Sequence, residues 1–115
     1  MEYPLDEKET NRIIEAFRSR GYDAELVWMT PESFLSKVPH PITELVPAIA
    51  NLAPKYFSQS SMRWITEAIL SKTKLPPLIL DYTSMFRGYP THEGRHRAYV
   101  AWLIGITSVP VVVVR

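Results

Sequence analysis

Apolar residues in this chain recur at helical spacing in some stretches and in unbroken runs in others. The switches between the two modes outline the elements. Ile13, Ile14 and Phe17 form a stripe that predicts a first helix. Asp6 stands as its N-cap, Glu9 three residues later would complete a capping box, and Gly21 is placed as a left-handed stop. AELVWM (24–29) predicts a short strand. Thr30-Pro31-Glu32 opens a second helix, with Thr as cap and Pro at the first helical position, and SFLSKV carries it to Pro39 and Pro41. ITELVPAIANLAPKYF (42–57) keeps helical spacing but is cut by Pro47 and Pro54, which predicts one or two short helices. SQSSMRW offers Ser60 or Ser61 as the cap of a helix reaching about Lys72, with Met62, Ile65, Ile69 and Leu70 facing inward. PPLILDY (76–82) reads as a strand and TSMFRGYPT (83–91) as a turn punctuated by Gly88 and Pro90. A helix from Arg95 to Ile104, stopped by Gly105, leads into SVPVVVV (108–114), a buried strand of β-branched residues.

Helix, strand, helices, strand, helix, strand is the order of an α/β domain with a small mixed β-sheet and flanking helices. At 115 residues, 46% apolar and 22% charged, the chain is expected to form one domain with its own core. The absence of cysteine excludes a disulfide framework, thiolate zinc ligands and a catalytic thiol. A net charge of +1 lacks the basic excess of a dedicated duplex-DNA binder, so any DNA contact is expected to be local, weak and non-specific. The most apolar stretch, Ala98 to Val114, is interrupted by Gly105, Thr107, Ser108 and Pro110 and does not read as a membrane span. The acidic, polar opening MEYPLDEKET has no features of a secretory leader, so a cytoplasmic location is expected.

The chemistry concentrates in THEGRHRAYVAW (91–102). His92-Glu93-Gly94-Arg95-His96 satisfies H-E-x-x-H, which on a continuous helix places two imidazoles on zinc. Gly94 weakens such a helix, Pro90 and the turn residues leave no upstream helix, and residues 97–115 hold no further His, Asp, Glu or Cys. A second reading explains more. The apolar helical pattern starts at Ala98, so Arg95, His96 and Arg97 fall in the first helical turn. Cations there oppose the macrodipole, and a bound anion reverses that cost by taking the free N–H groups as well. Gly94 allows close approach of the backbone. The plainer alternative is that the arginines are solvated, or paired with Glu67 or Asp81.

HEGRHRAYVAWLIGITSVPVVVV resembles the signature of the ParB/sulfiredoxin superfamily, in which a strand leads to a G-x-[HR]-R loop, an R-x-x-A helix, a Gly stop and a V/I-P-V-x-V strand. LVWMTPESFLSKVP resembles the family's opening strand and short helix, and SSMRWITEAILSKTKLPPLILD its helix followed by a proline-led strand. The likeness covers residues 24–115 and leaves 1–22 as an added N-terminal helix. It implies a ParB/sulfiredoxin-like fold that binds a nucleoside triphosphate, ATP or CTP with Mg²⁺, through Gly94, His96 and Arg97, with Arg95 in the variable position. Activities in the family include sulfinic acid reduction, CTP-dependent DNA clamping, ADP-dependent serine phosphorylation, and ATPase or nuclease action. Sulfiredoxin has Cys where this chain has Arg95, which argues against sulfinic acid reduction. Partition proteins continue into a helix-turn-helix, whereas this sequence stops at Arg115, so a standalone domain is expected. NTP hydrolysis or phosphotransfer is the leading expectation. A DNA-binding or nuclease module using Arg63, Arg87, Arg95 and Arg97, or an inactive partner-binding fold, stands as the alternative.

The remaining candidates have two readings each. Glu32 resembles the acidic site of the family's kinase members and would serve as base or metal carboxylate, or it simply favours the dipole of its helix. Asp81 ends a strand on the side where α/β sheets place ligands and would help hold Mg²⁺, or it initiates a turn. Glu93 adjoins the loop as a third base or metal candidate. Ser60, Ser61, Arg63 and Lys55 sit where family members contact phosphate or nucleotide. Trp28, Trp64 and Trp102 read as packing residues, with Trp64 or Tyr56 as candidates for base stacking, and His40 reads as a loop residue.

Overall fold

The computed structural model describes residues 1–39 and 59–115. The short helices expected within 42–57, together with His40, Lys55 and Tyr56, lie outside the described residues. The elements, in chain order, are α1 (Glu7–Arg18), β1 (Ala24–Met29), α2 (Pro31–Leu35), α3 (Gln59–Leu70), β2 (Leu78–Phe86), β3 (Tyr89–Glu93), α4 (Arg95–Leu103) and β4 (Val109–Val114). They form a small mixed four-stranded sheet with flanking helices, in the order β1-β4-β2-β3. β4 pairs antiparallel with β1 and parallel with β2, and β2 pairs antiparallel with β3.

All six residues of β4 are buried. Alternation sends Val112 and Val114 to one face, with Ala24 and the α1 stripe of Ile13, Ile14 and Phe17 packed around them. Val109, Val111 and Val113 face the larger core of Phe34, Ile65, Ile69, Leu78, Leu80 and Tyr99. A strand covered on both faces needs apolar residues at every position, which is why this one is written in valine. Pro110 is tolerated because β2 begins to pair only at Val111.

The caps form largely as the sequence predicts. The Asp6 carboxylate accepts the Glu9 N–H at 3.0 Å, and the Thr30 hydroxyl accepts the Ser33 N–H at 3.0 Å. The capping box of α1 is only half built. The Glu9 carboxylate turns to Arg12, and the Asp6 N–H donates instead to the Leu75 carbonyl.

Three expectations are corrected. Residues 83–91 are a hairpin, not a turn: β2 runs on to Phe86, and Arg87 and Gly88 make a two-residue loop with φ of 52° and 84°. Positive φ at both central positions matches the strand twist, and an arginine there gives no Asn-Gly-type signal. Pro90 then sits on an edge strand, beside a register shift between Asp81 and Met85. Second, α3 already includes Gln59, so Ser60 and Ser61 lie in its first turn and do not cap it. Third, Leu70 is exposed and Ala68 takes its place in the core.

Candidate functional site

β3 delivers the chain to Glu93, Gly94 turns it, and α4 starts at once. Gly94 has φ of +103°, a conformation that side chains rarely adopt. A Cβ there would lie 2.7 Å from the Leu78 side chain and 3.0 Å from Arg97 Nη2. Glycine is therefore required twice, by backbone conformation and by space. The N-terminus of α4 has no side-chain cap hydrogen bond and no acidic residue in its first turn, so neither a capping oxygen nor a carboxylate of that turn meets the positive end of its dipole.

A cleft of about 400 Å³ opens at this helix start. Ser60, Ser61, Trp64 and Ile65 of α3 line one side, and Glu93, Gly94, His96 and Arg97 the other. A second hollow of about 330 Å³ adjoins it, lined by His92, Glu93, Gly94, Arg95 and His96.

Arg97 departs most from its expected setting. Its residue is only 7% exposed, and its guanidinium turns into the body of the domain. Nη1 donates to the Tyr3 hydroxyl, the Pro76 carbonyl and the Pro77 carbonyl. None of these acceptors carries a formal charge, and among the described residues no carboxylate lies within ion-pairing distance. Nη2 and Nε have no acceptor among the described residues, and Nη2 lies on the Gly94 side, where both residues line the cleft. A buried guanidinium with three of its five donors unmet among the described residues is uncommon in a folded protein.

Both histidines are held below the ordinary imidazole value, chiefly by burial and further by the charge of Arg95; Glu93 opposes this, as does a backbone hydrogen bond at Pro90 for His92. His96 thus enters the cleft as a neutral imidazole, and the helix start carries fewer cations than residue counting suggests. The zinc pattern is split: His92 belongs to β3 and His96 to α4, with left-handed Gly94 between them, so the i, i+4 helical geometry that H-E-x-x-H requires is not present.

Of the candidates named from sequence, the fold brings Ser60, Ser61, Glu93, Gly94, His96 and Arg97 into one cleft and Arg95 into the adjoining hollow. It does not bring in Glu32, Asp81 or Arg63. Glu32 lies in the first turn of α2. The Asp81 Oδ1 accepts the Thr83 N–H at 2.9 Å and the Thr83 hydroxyl at 2.6 Å, closing a local Asx turn. Arg63 is exposed and pairs with Glu67 at 3.3 Å, one turn along α3. Arg87 stacks on Phe86 at the hairpin tip, 5.2 Å from the ring centroid. With Arg97 turned inward, the four arginines do not make the exposed patch that DNA contact was expected to use.

Trp64 is exposed on the cleft wall instead of packed in the core. Tyr3 and the Pro76-Pro77 carbonyls were not among the expected site residues. No periodicity points to them, because their links to Arg97 span 94 residues from Tyr3 and 21 and 20 from the two prolines.

Fold and cleft together define a small α/β domain with an anion-compatible helix start beside a half-satisfied buried arginine. No protein-family model matches the chain, and neither a curated protein nor a solved structure does. Among the described residues no helix is long and apolar enough to cross a membrane.

Proposed function

We propose that this chain is a ParB/sulfiredoxin-like nucleotide-binding domain whose phosphate seat is the cleft at the start of α4. The observation that carries the reading is Arg97, buried, without a carboxylate partner among the described residues, and with Nη2 unmet beside Gly94. A phosphate oxygen there would take a charge-assisted hydrogen bond from Nη2 and would sit at the positive end of the α4 dipole. The Ser60 and Ser61 hydroxyls line the opposite wall, and the exposed Trp64 ring offers a stacking face for a base.

Glu93 is the one carboxylate lining this cleft among the described residues. A single carboxylate beside phosphates suits Mg²⁺, which is commonly held by one or two carboxylates and the substrate's own oxygens. Bound there, the ion would neutralise phosphate charge, and Glu93 would hold it. In this reading NTP hydrolysis or phosphotransfer relies on Glu93, with Glu32 and Asp81 left in local structural roles.

Isothermal titration with ATP, CTP and ADP in the presence of Mg²⁺ tests the proposal. Binding that Glu93→Gln weakens when Mg²⁺ is present supports it. Absence of binding by all three at millimolar concentration overturns it. Affinity for duplex DNA without nucleotide, falling steeply with salt, would favour the nucleic-acid alternative.

A further inference from the structure

The segment ahead of α1 reaches the cleft through Arg97. Leu5 bridges Leu75 in parallel, the Leu75 N–H donates to the Pro4 carbonyl at 2.8 Å, and the Asp6 N–H donates to the Leu75 carbonyl at 2.8 Å. This short strap lays Tyr3 over the entry to β2. Tyr3 is buried; its hydroxyl donates to the Pro76 carbonyl and accepts from Arg97 Nη1 at 3.2 Å.

Nη1 has two hydrogens and three oxygens around it, so its bonds are shared. Two of those oxygens are backbone carbonyls fixed by the path into β2. The third belongs to the strap. Burial pushes the Tyr3 phenol up, against the charge of Arg97, so the hydroxyl keeps its proton and can donate to Pro76 while accepting from Arg97. Because the guanidinium is planar, anchoring Nη1 on this side fixes where Nη2 points.

We propose that Tyr3 is a positioning residue for the anion site: its hydroxyl, delivered by the strap, holds the Arg97 fork so that Nη2 faces Gly94 and the cleft. The inference rests on the nucleotide-binding reading above and adds a coupling to it. Anion binding and docking of the strap strengthen one another by the same factor, as linkage requires.

The test uses inorganic triphosphate with Mg²⁺ as probe. Tyr3→Phe removes one oxygen and leaves the strap's backbone hydrogen bonds intact. It is expected to fold cooperatively and to bind triphosphate roughly fivefold or more weakly than the parent. In the parent chain, triphosphate should slow hydrogen exchange at the Leu5 and Leu75 amides more than at those of β1, and this extra protection should vanish in Tyr3→Phe. Equal affinity of the two chains would make Tyr3 a packing residue only and overturn the inference while leaving the nucleotide site standing. Failure of the parent to bind triphosphate would remove both. If Tyr3→Phe does not fold, the parent's exchange decides: selective protection of Leu5 and Leu75 supports the coupling, and its absence overturns it.

Discussion

Two helices of this domain begin in opposite ways. α1 starts with the Asp6 carboxylate on the Glu9 N–H, with Glu7 and Glu9 in its first turn. The cap and the two acids suit the positive end of the dipole and outweigh Lys8, the opposing charge in that turn, so the start needs no added anion. α4 starts with a left-handed glycine, no capping side chain and a first turn of Arg95, His96 and Arg97. Its charges oppose the dipole, and its third residue is buried with donors to spare. The first start reads as built for stability alone. The second forgoes local stability at a place where an anion would restore it.

The largest effect that would sharpen this contrast is expected from Gly94→Ala. A methyl 2.7 Å from Leu78, at a φ that disfavours side chains, should cost about 3 kcal/mol and abolish nucleotide binding. Gly21→Ala is the control: its φ is +89° but nothing lies within 4 Å of the added carbon. It should cost about 1 kcal/mol and leave binding alone. Urea unfolding and titration calorimetry read both. A similar loss at the two glycines would remove the steric part of the argument.

Arg97→Ala comes next. The dipole argument alone would have the loss of a cation at a helix start relieve an unfavourable interaction. The structure reverses the sign. Arg97 holds two buried-side carbonyls and the Tyr3 hydroxyl, so its loss strands acceptors and leaves a void. The ligand-free protein should lose about 2–3 kcal/mol and bind nucleotide far more weakly. An unchanged urea midpoint would show that the buried bonds contribute little.

Asp6→Ala should cost about 1 kcal/mol through the lost cap and leave nucleotide affinity untouched. A fall in affinity would mean that the two helix starts are not independent. The smallest effect is in pH. Both histidines are held below 6.5, so the unfolded chain takes up their protons first as pH falls. Their contribution to stability is therefore complete above pH 6.5 and declines below it. Thermal melts from pH 7.5 to 5.5 should show a decline that replacing both His92 and His96 with Gln reduces, and that triphosphate also reduces by favouring a charged His96. A decline identical in the double variant would assign it to other groups.

Local signals told much of this structure in advance. The caps at Asp6 and Thr30, the valine strand and the helix starting at Arg95 each depend on residues within one turn or on strict alternation. Six of the residues expected at the site do line one cleft, because the turn at Gly94 and the first turn of α3 supply all of them. What sequence could not display was direction. Nothing in R-H-R says which arginine turns inward; that is decided by carbonyls twenty residues earlier and a phenol at position 3. The Arg87-Gly88 hairpin hid for a related reason: its φ angles are enforced by paired strands and not by the usual turn residues.

The position of β4 has a consequence for how the chain is made. β1 and the β2-β3 hairpin are synthesised before it, yet each meets the rest of the sheet only across β4. A ribosome-bound chain that has not yet exposed residue 109 holds two sheet fragments with no edge in common. The sheet should therefore close late and in one step, when the valines emerge, and until then β1 presents an unpaired edge to the cell. Stalled-chain proteolysis with arrest points on either side of that strand would locate the step.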